Sequence, residues 1–176
     1  MKQIEIHTPL TETTVKKLKA GDRVEITGTI YVARDQAHKR LVKLLEQGRK
    51  LPFEIKGSII FYAGPTPAKP GDVIGSVGPT TSYRMDPFTI PLLKKGLKGV
   101  IGKGERSAEI MQALKKHKSL YFIAVGGIAA LLAKKVVSSR IIAYKDLGAE
   151  AVRELVVEDF PAVVASDLAG RTVFSR

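Results

Sequence analysis

Segments with the periodicity of a β-strand alternate along this chain with segments that have the periodicity of an α-helix. Arg23–Val32 places its aliphatic residues on one side of an extended chain, which predicts a strand. Residues 36–47 then place leucines at helical spacing and end before Gly48, which predicts a helix. Residues 108–117 and 119–125 repeat this pair of patterns in the opposite order. The alternation predicts an α/β fold.

The rest of the chain continues this pattern within a length of 176 residues, which fits one domain spanning residues 1–176. A chain of this length buries roughly 70% of its unfolded surface. Gly28 interrupts the aliphatic side of its strand, which predicts a β-bulge or a close approach of another backbone. Further strands are predicted at residues 2–7, 58–63, 73–77, 100–101, 136–144, 152–157 and 160–165, and further helices at 11–18, 88–95 and 128–135.

The chain contains no cysteine, which excludes disulfides, a cysteine nucleophile and cysteine-ligated zinc or iron–sulfur centres on this polypeptide. Its three histidines, His7, His38 and His117, lie far apart and lack the spacing of metal ligands. If a metal takes part in the function, we expect another polypeptide to hold it.

The formal net charge of +12 favours an anionic partner. The basic residues are dispersed, aromatic residues make up 6% of the chain and tryptophan is absent, which argues against a single-stranded nucleic acid as that partner. The first ten residues lack the apolar region of a signal peptide, and the longest apolar run, residues 121–133, is shorter than a membrane span. We therefore expect a cytoplasmic protein without a membrane contact.

Residues 73–87, VIGSVGPTTSYRMDP, hold the densest group of candidate ligand-binding side chains. Predicted strand residues run into Gly78-Pro79, and Thr80, Thr81, Ser82 and Arg84 follow at once. Ligands of α/β folds tend to bind at the carboxyl ends of strands. Hydroxyl donors and a guanidinium at this edge suit a carboxylate or a phosphate. The alternative interpretation is a tight turn that caps the next helix, with a solvated arginine.

Two further segments carry candidate cations. Arg34 and His38 are four residues apart at the start of a predicted helix. An arginine there opposes the helix dipole and so indicates a function, with a surface charge as the alternative. Lys103 lies between Gly102 and Gly104, which let a backbone approach a ligand closely. The surrounding sequence is neither a Walker A motif nor a dinucleotide fingerprint. A solvated lysine in a turn is the alternative.

Six motifs, taken together and in order, resemble the β subunit, or C-terminal domain, of the iron–sulfur hydro-lyases, namely class I fumarase and L(+)-tartrate dehydratase. The resemblance extends from Thr8 to near the end of the chain. The motifs are ARDQAHKR at 33–40, FYAGPTPAKPG at 61–71, GSVGPTTSYRMDPF at 75–88, IGKGERS at 101–107, YFIAVGGIAALLA at 121–133 and VEDFPAVV at 157–164.

This resemblance implies a swivelling β/β/α domain and an obligate α subunit, whose three cysteines hold a [4Fe–4S] cluster. It further implies Thr80 as the catalytic base, with Lys103 contacting the substrate near its reacting carbons. Arg34 and Arg84 would bind substrate carboxylates, and Thr81 is a weaker candidate for the same role. Asp35 and His38, which also match the motif, would contact these binding residues rather than the substrate itself.

The resemblance implies, as the leading hypothesis, a β subunit of fumarate hydratase, which hydrates fumarate reversibly to malate. A tartrate dehydratase β subunit would keep the same residues and eliminate water from a dihydroxy acid. A basic nucleic-acid-binding module and a non-catalytic scaffold subunit are the more distant alternatives; the scaffold would leave Thr80, Arg84 and Lys103 on separate surfaces. A homodimer of the isolated chain is left open.

Overall fold

The computed structural model describes residues 3–124 and 128–174. In this part of the chain, short 3₁₀ helices span Ser82–Met85 and Lys145–Glu150. The strands are β1 Ile4–His7, β2 Arg23–Val32, β3 Ile59–Phe61, β4 Gly99–Gly102, β5 Leu120–Ile123, β6 Val136–Ala143 and β7 Val152–Ser166. The helices are α1 Glu12–Lys17, α2 Asp35–Glu46, α3 Asp86–Lys94, α4 Ala108–Lys116 and α5 Ala129–Ala133.

The strands pair in the order β1-β2-β3-β4-β5-β7-β6, and β2 also pairs with β7. Pairing is parallel from β1 through β5, whereas β7 runs antiparallel to β2, β5 and β6. Strands β2, β3, β4, β5 and β7 therefore close into a ring, with β1 and β6 attached outside it. The parallel strands direct their carboxyl ends to one rim of this ring.

The two faces of the sheet bury two separate apolar clusters, as β3 shows most simply. Ile59 and Phe61 pack in the cluster inside the ring, and Ile60 and Tyr62 pack against α2, α3 and α4 on the other face. Successive residues of a strand point to opposite faces, so a strand buried on both sides is apolar throughout. This layering confirms the predicted α/β fold.

Most predicted elements lie within one to three residues of their observed positions, and Arg23–Val32 is a strand with these bounds. Gly28 shows both of the predicted features, a β-bulge and a close approach of another backbone. The pairing of β2 with β7 shifts register next to it, and a Cβ atom there would overlap Thr8 Oγ1. The backbone of Gly28 has φ 120°, which glycine adopts readily and other residues avoid.

The predicted strand at residues 73–77 is wrong. These residues form part of an irregular segment, in which Val77 donates its backbone N–H to Ala129 O at 3.2 Å rather than to a strand. Ile74 and Val77 are nevertheless buried in the cluster inside the ring. Their apolar character reflects this burial, while glycines and prolines on both sides prevent a regular ladder.

The two predicted strands at 152–157 and 160–165 form one continuous strand, β7. Asp159 takes a left-handed backbone conformation with φ 49°, so the chain bends there without leaving the sheet. Helix α5 is shorter than predicted, and the predicted turn at Gly126-Gly127 lies outside the described residues. Among the described residues, no helix has the length and apolar character to cross a membrane.

Candidate active site

The segment that contains Thr80 lies across the carboxyl end of β3. Pro79 forms an isolated antiparallel bridge with Ala63, and the Thr80 backbone N–H donates to Tyr62 O at 2.7 Å. Thr80 is half-buried at this position. The sequence predicted Thr80 at the end of its own preceding strand; the structure instead sets it against the end of β3, a strand that lies about twenty residues earlier.

The next residues hold the Lys103 loop. Thr81 forms a parallel bridge with Lys103, and the Ser82 backbone N–H donates to Lys103 O at 2.9 Å. A Cβ atom at Gly102 would overlap Ser82 Oγ, so this approach requires a glycine. Gly104 has φ 78°, which turns the chain away immediately after Lys103. The hydroxyl cluster and the exposed lysine are thus brought together by backbone contacts.

Asp35, the first residue of α2, joins two of the predicted carboxylate-binding arginines. Its Oδ2 lies 3.2 Å from Arg34 Nε, and its Oδ1 lies 3.0 Å from Arg84 Nε. Glu150 Oε1 lies 3.4 Å from the same Arg34 Nε. Burial raises the pKa of Asp35, but its backbone N–H and the guanidinium groups of Arg34 and Arg84 outweigh this effect and lower the pKa. Asp35 therefore remains an anion that orients both arginines.

His38 lies behind Arg34 and is fully buried. Its Nδ1 is 2.9 Å from Arg34 O, and because a carbonyl only accepts hydrogen bonds, Nδ1 carries the hydrogen. Burial lowers the pKa of His38 to about 4, so the ring is neutral near pH 7. The contact fixes the backbone from which the Arg34 side chain extends. The buried Nε2 makes no hydrogen bond to any described residue.

Sequence reasoning missed a buried ion pair directly below the two loops. Arg106 is 8% exposed, and its Nε donates to Asp86 Oδ1 at 2.5 Å. Its Nη2 donates to Thr89 Oγ1 at 2.8 Å, and the Ser107 backbone N–H donates to Asp86 Oδ2 at 3.0 Å. Asp86 begins α3 directly after the Thr80 segment, and Arg106 follows the Lys103 loop. The pair therefore ties the two loops together.

Tyr121 on β5 is the second residue that sequence reasoning missed. Its hydroxyl lies 2.6 Å from Gly104 O and 2.9 Å from Ser82 Oγ. The carbonyl can only accept, so the Tyr121 hydroxyl donates to Gly104, and the Ser82 hydroxyl donates to Tyr121. The Arg106 guanidinium lies over the Tyr121 ring at 5.5 Å from its centroid. A tyrosine within an apolar strand pattern carries no signal of this role.

The candidate site holds three cations: Arg34 and Arg84 meet at Asp35, and Lys103 lies on the loop that pairs with the threonine segment. Arg84 and Lys103 are exposed, so one side of the site is open to solvent in this chain. Two open grooves of about 510 and 590 Å³ lie elsewhere and include none of the seven predicted residues. The arrangement suits a small anion with more than one carboxylate. It does not have the separate surfaces expected of a scaffold.

The residues of this chain do not fit an iron–sulfur cluster. Across the described ranges 3–124 and 128–174, no three His, Cys, Asp or Glu side chains form a group that could hold a metal ion. The whole sequence lacks the thiolates that such clusters require.

Comparison with known proteins assigns the class. The family described as Fumarase C-terminus matches residues 1–176, and the chain belongs to this family. The resemblance inferred from the sequence motifs is thereby confirmed.

Individual relatives carry the names of two related hydro-lyases. The chain is 41% identical over 173 residues to a putative L(+)-tartrate dehydratase subunit beta of Methanocaldococcus jannaschii, which covers 95% of this chain and 89% of that protein. It is 37% identical over 179 residues to the anaerobic class I fumarate hydratase of Escherichia coli, which covers 99% of this chain and 32% of the relative. It is 40% identical over 158 residues to fumarate hydratase 2 of Leishmania major, and this alignment covers 89% of this chain and 28% of the relative. The chain spans about a third of the length of these fumarate hydratases.

Proposed function

We propose that this chain is the β subunit of a hydro-lyase that acts on a small dicarboxylate, with reversible hydration of fumarate to malate as the leading reaction. The observation that supports it best is the pairing of Arg34 and Arg84 through Asp35 beside the Thr80 and Lys103 loops. Family membership and the hydro-lyase names of the relatives support the same class of reaction.

In this proposal the three cations hold the substrate carboxylates. Arg34 and Arg84 offer planar guanidinium groups to one or both carboxylates, and Lys103 reaches toward the reacting carbons. Each charge-assisted hydrogen bond contributes about 1.5–3 kcal/mol, so the loss of one cation weakens binding without abolishing it. The same charges stabilise the extra negative charge that develops on a carboxylate when a neighbouring carbon loses a proton.

Thr80 Oγ1 is the proposed base. In the dehydration direction the Thr80 alkoxide takes a proton from the carbon beside a carboxylate and becomes the neutral alcohol. The C–O bond on the adjacent carbon breaks, and its electron pair leaves with the oxygen as hydroxide. Transfer of the proton from Thr80 to this hydroxide gives water and restores the alkoxide, and hydration reverses these transfers. Threonine is a weak base in water, so the role requires that Lys103 or Arg84 stabilise its alkoxide and that bulk water be excluded. Thr80 is already half-buried in this chain, and we propose that a partner subunit covers the open side.

We propose further that the partner is a cluster-bearing α subunit, because the residues present here do not fit a [4Fe–4S] cluster. The test is anaerobic co-expression with such a subunit, followed by assays with fumarate and L-tartrate in parallel. We expect fumarate turnover by the purified complex and no activity of this chain alone. Activity of the lone chain, or no turnover of either substrate by a cluster-loaded complex, would refute the proposal.

Dehydration of L-tartrate is the second candidate reaction. It is favoured by the M. jannaschii relative, which is a separate β subunit and matches this chain over 89% of its own length. A dihydroxy acid presents the same two carboxylates to Arg34 and Arg84. Faster turnover of tartrate than of fumarate in the paired assay would select this reaction.

A further inference from the structure

Three polar side chains, largely buried beneath the candidate site, connect the Thr80 segment to the Lys103 loop. We call Asp86, Arg106 and Tyr121 the brace. Asp86 accepts from Arg106 Nε and from the Ser107 backbone, and Tyr121 contacts Ser82 Oγ and Gly104 O. Each of these contacts crosses between the two segments or anchors both of them to β5. Among the described residues, no hydrogen bond or ion pair joins the brace to the Thr80 hydroxyl or the Lys103 ammonium.

The brace is held in place more firmly than an ordinary surface ion pair. The Arg106 side chain is 0% exposed, and that of Asp86 is 16% exposed. Burial by itself lowers the pKa of Arg106, but the interactions with Tyr62 and with the Asp86 carboxylate outweigh this effect, so the pKa of Arg106 is raised. Burial also raises the pKa of Tyr121 to about 12, so its hydroxyl stays protonated and can donate to Gly104. A buried network with its partners satisfied has one preferred geometry.

We propose that the brace is a positioning unit, which sets the distance between the Thr80 hydroxyl and the Lys103 ammonium that the reaction needs. Through Ser82 it fixes the segment that follows Thr80, and through Gly104 it fixes the residue that follows Lys103. The assignment of a reaction to these two residues rests on the proposed function. The mechanical part, that the brace holds the two loops in register, does not depend on it.

Kinetics of the reconstituted complex test the positioning role. Tyr121→Phe removes one hydroxyl and keeps the ring, and we expect kcat to fall about tenfold or more with KM changed less than about twofold, because misplacement by about 1 Å can cost about a hundredfold. Tyr31→Phe is the control, since Tyr31 lies on β2 rather than β5 and its ring stacks on Phe53. An unchanged kcat per cluster-loaded complex, even with a lower melting temperature, would overturn the positioning role.

Asp86→Asn tests the ion pair against a matched control. Asp167 also accepts from an arginine Nε, that of Arg171, and from backbone N–H groups, but it lies beyond the end of β7, at the opposite rim. We expect Asp86→Asn to lower kcat more than Asp167→Asn does, even where the two variants lose the same free energy of unfolding. Equal kcat values for the two variants would count against the brace.

Amide hydrogen exchange of the full chain tests the brace without any activity. In Tyr121→Phe we expect the Ser82 N–H, which donates to Lys103 O, to exchange about tenfold faster or more, while Tyr31→Phe leaves it unchanged. If Tyr121→Phe does not fold, Ser82→Ala removes the other end of the contact and gives the same readout. Unchanged exchange would overturn the proposal. Faster exchange in a complex inactive on both substrates would retain the brace and reject the proposed function.

Discussion

Thr80 and Thr81 are adjacent hydroxyl residues of the same segment, and the proposal gives them unequal roles. Thr80→Ala should lower kcat about a hundredfold or more, because a positioned base contributes typically 10²–10⁴-fold. Its KM should stay within a few-fold, since the three cations remain. Steady-state kinetics of the complex measure this, with Thr81→Ala as the control expected to have a smaller effect. If kcat of Thr80→Ala equals that of the native enzyme, Thr80 is not the base.

Asp35 should stabilise the fold through its two arginine contacts and its place in the first turn of α2. Asp35→Asn should lower the free energy of unfolding at pH 7 by about 1 kcal/mol. The same change at Asp146, whose side chain is 65% exposed beside Arg40, should have little effect. Urea unfolding of both variants measures the difference.

The contribution of Asp35 should also depend on pH. The folded-state pKa of Asp35 is lower than its ordinary value of 3.8, so the stabilisation is complete well above pH 3.8. It decreases as the pH falls through 3.8 and disappears below the folded-state pKa. Native protein and Asp35→Asn should therefore differ in stability near neutral pH and converge in acid. A difference that grows on acidification would contradict this assignment.

Residue types at the site could be read from the sequence because they stand in local motifs. The guanidinium of Arg84, the hydroxyl of Thr80 and the ammonium of Lys103 are recognisable as ligands of an anion without a structure. Their mutual contacts are not readable in this way. Asp35 reaches Arg84 across 49 positions of the chain, and no periodicity indicates which segments will meet. The roles of the seven predicted residues remain predictions until the variants are assayed.

At the level of single elements, β2 depends on Gly28. Gly28→Ala should lower the free energy of unfolding by about 3 kcal/mol, because a left-handed backbone penalty adds to the overlap with Thr8. Gly48→Ala is the control: Gly48 also has a positive φ, of 65°, but nothing lies within 4 Å of the added Cβ, so it should cost only about 1 kcal/mol. Urea unfolding measures both. Equal losses would show that close packing at Gly28 contributes nothing.

Elements were predictable where near neighbours determine them. Strand β2 and helix α4 have clear periodicity, and Ser107 caps α4 by accepting from the Ile110 N–H at 3.3 Å. The strand prediction for residues 73–77 was wrong because an apolar, strand-like composition also suits an irregular segment that packs inside the ring. Burial there comes from distant strands rather than from pairing.

For the whole molecule, the net charge of +12 predicts a response to salt. Like charges repel one another more in the compact state, so raising potassium chloride from about 0.02 to about 0.3 M should increase the free energy of unfolding as the screening length shortens. Urea unfolding at both concentrations measures this, and sodium chloride at equal ionic strength should give the same result. A decrease would show that attractive ion pairs dominate.

The order of the amino acids is enough to establish the alternation of strands and helices, the absence of thiolate ligands, the family and the residue types of the candidate site. These properties depend on composition, short-range periodicity and motifs of a few residues. The folded arrangement adds three facts: β2 and β7 close the ring, Asp35 joins two arginines, and Arg106 lies buried against Asp86. Each of these depends on which distant segments meet, because a buried charge without a partner is strongly destabilising and its partner here comes from elsewhere in the chain.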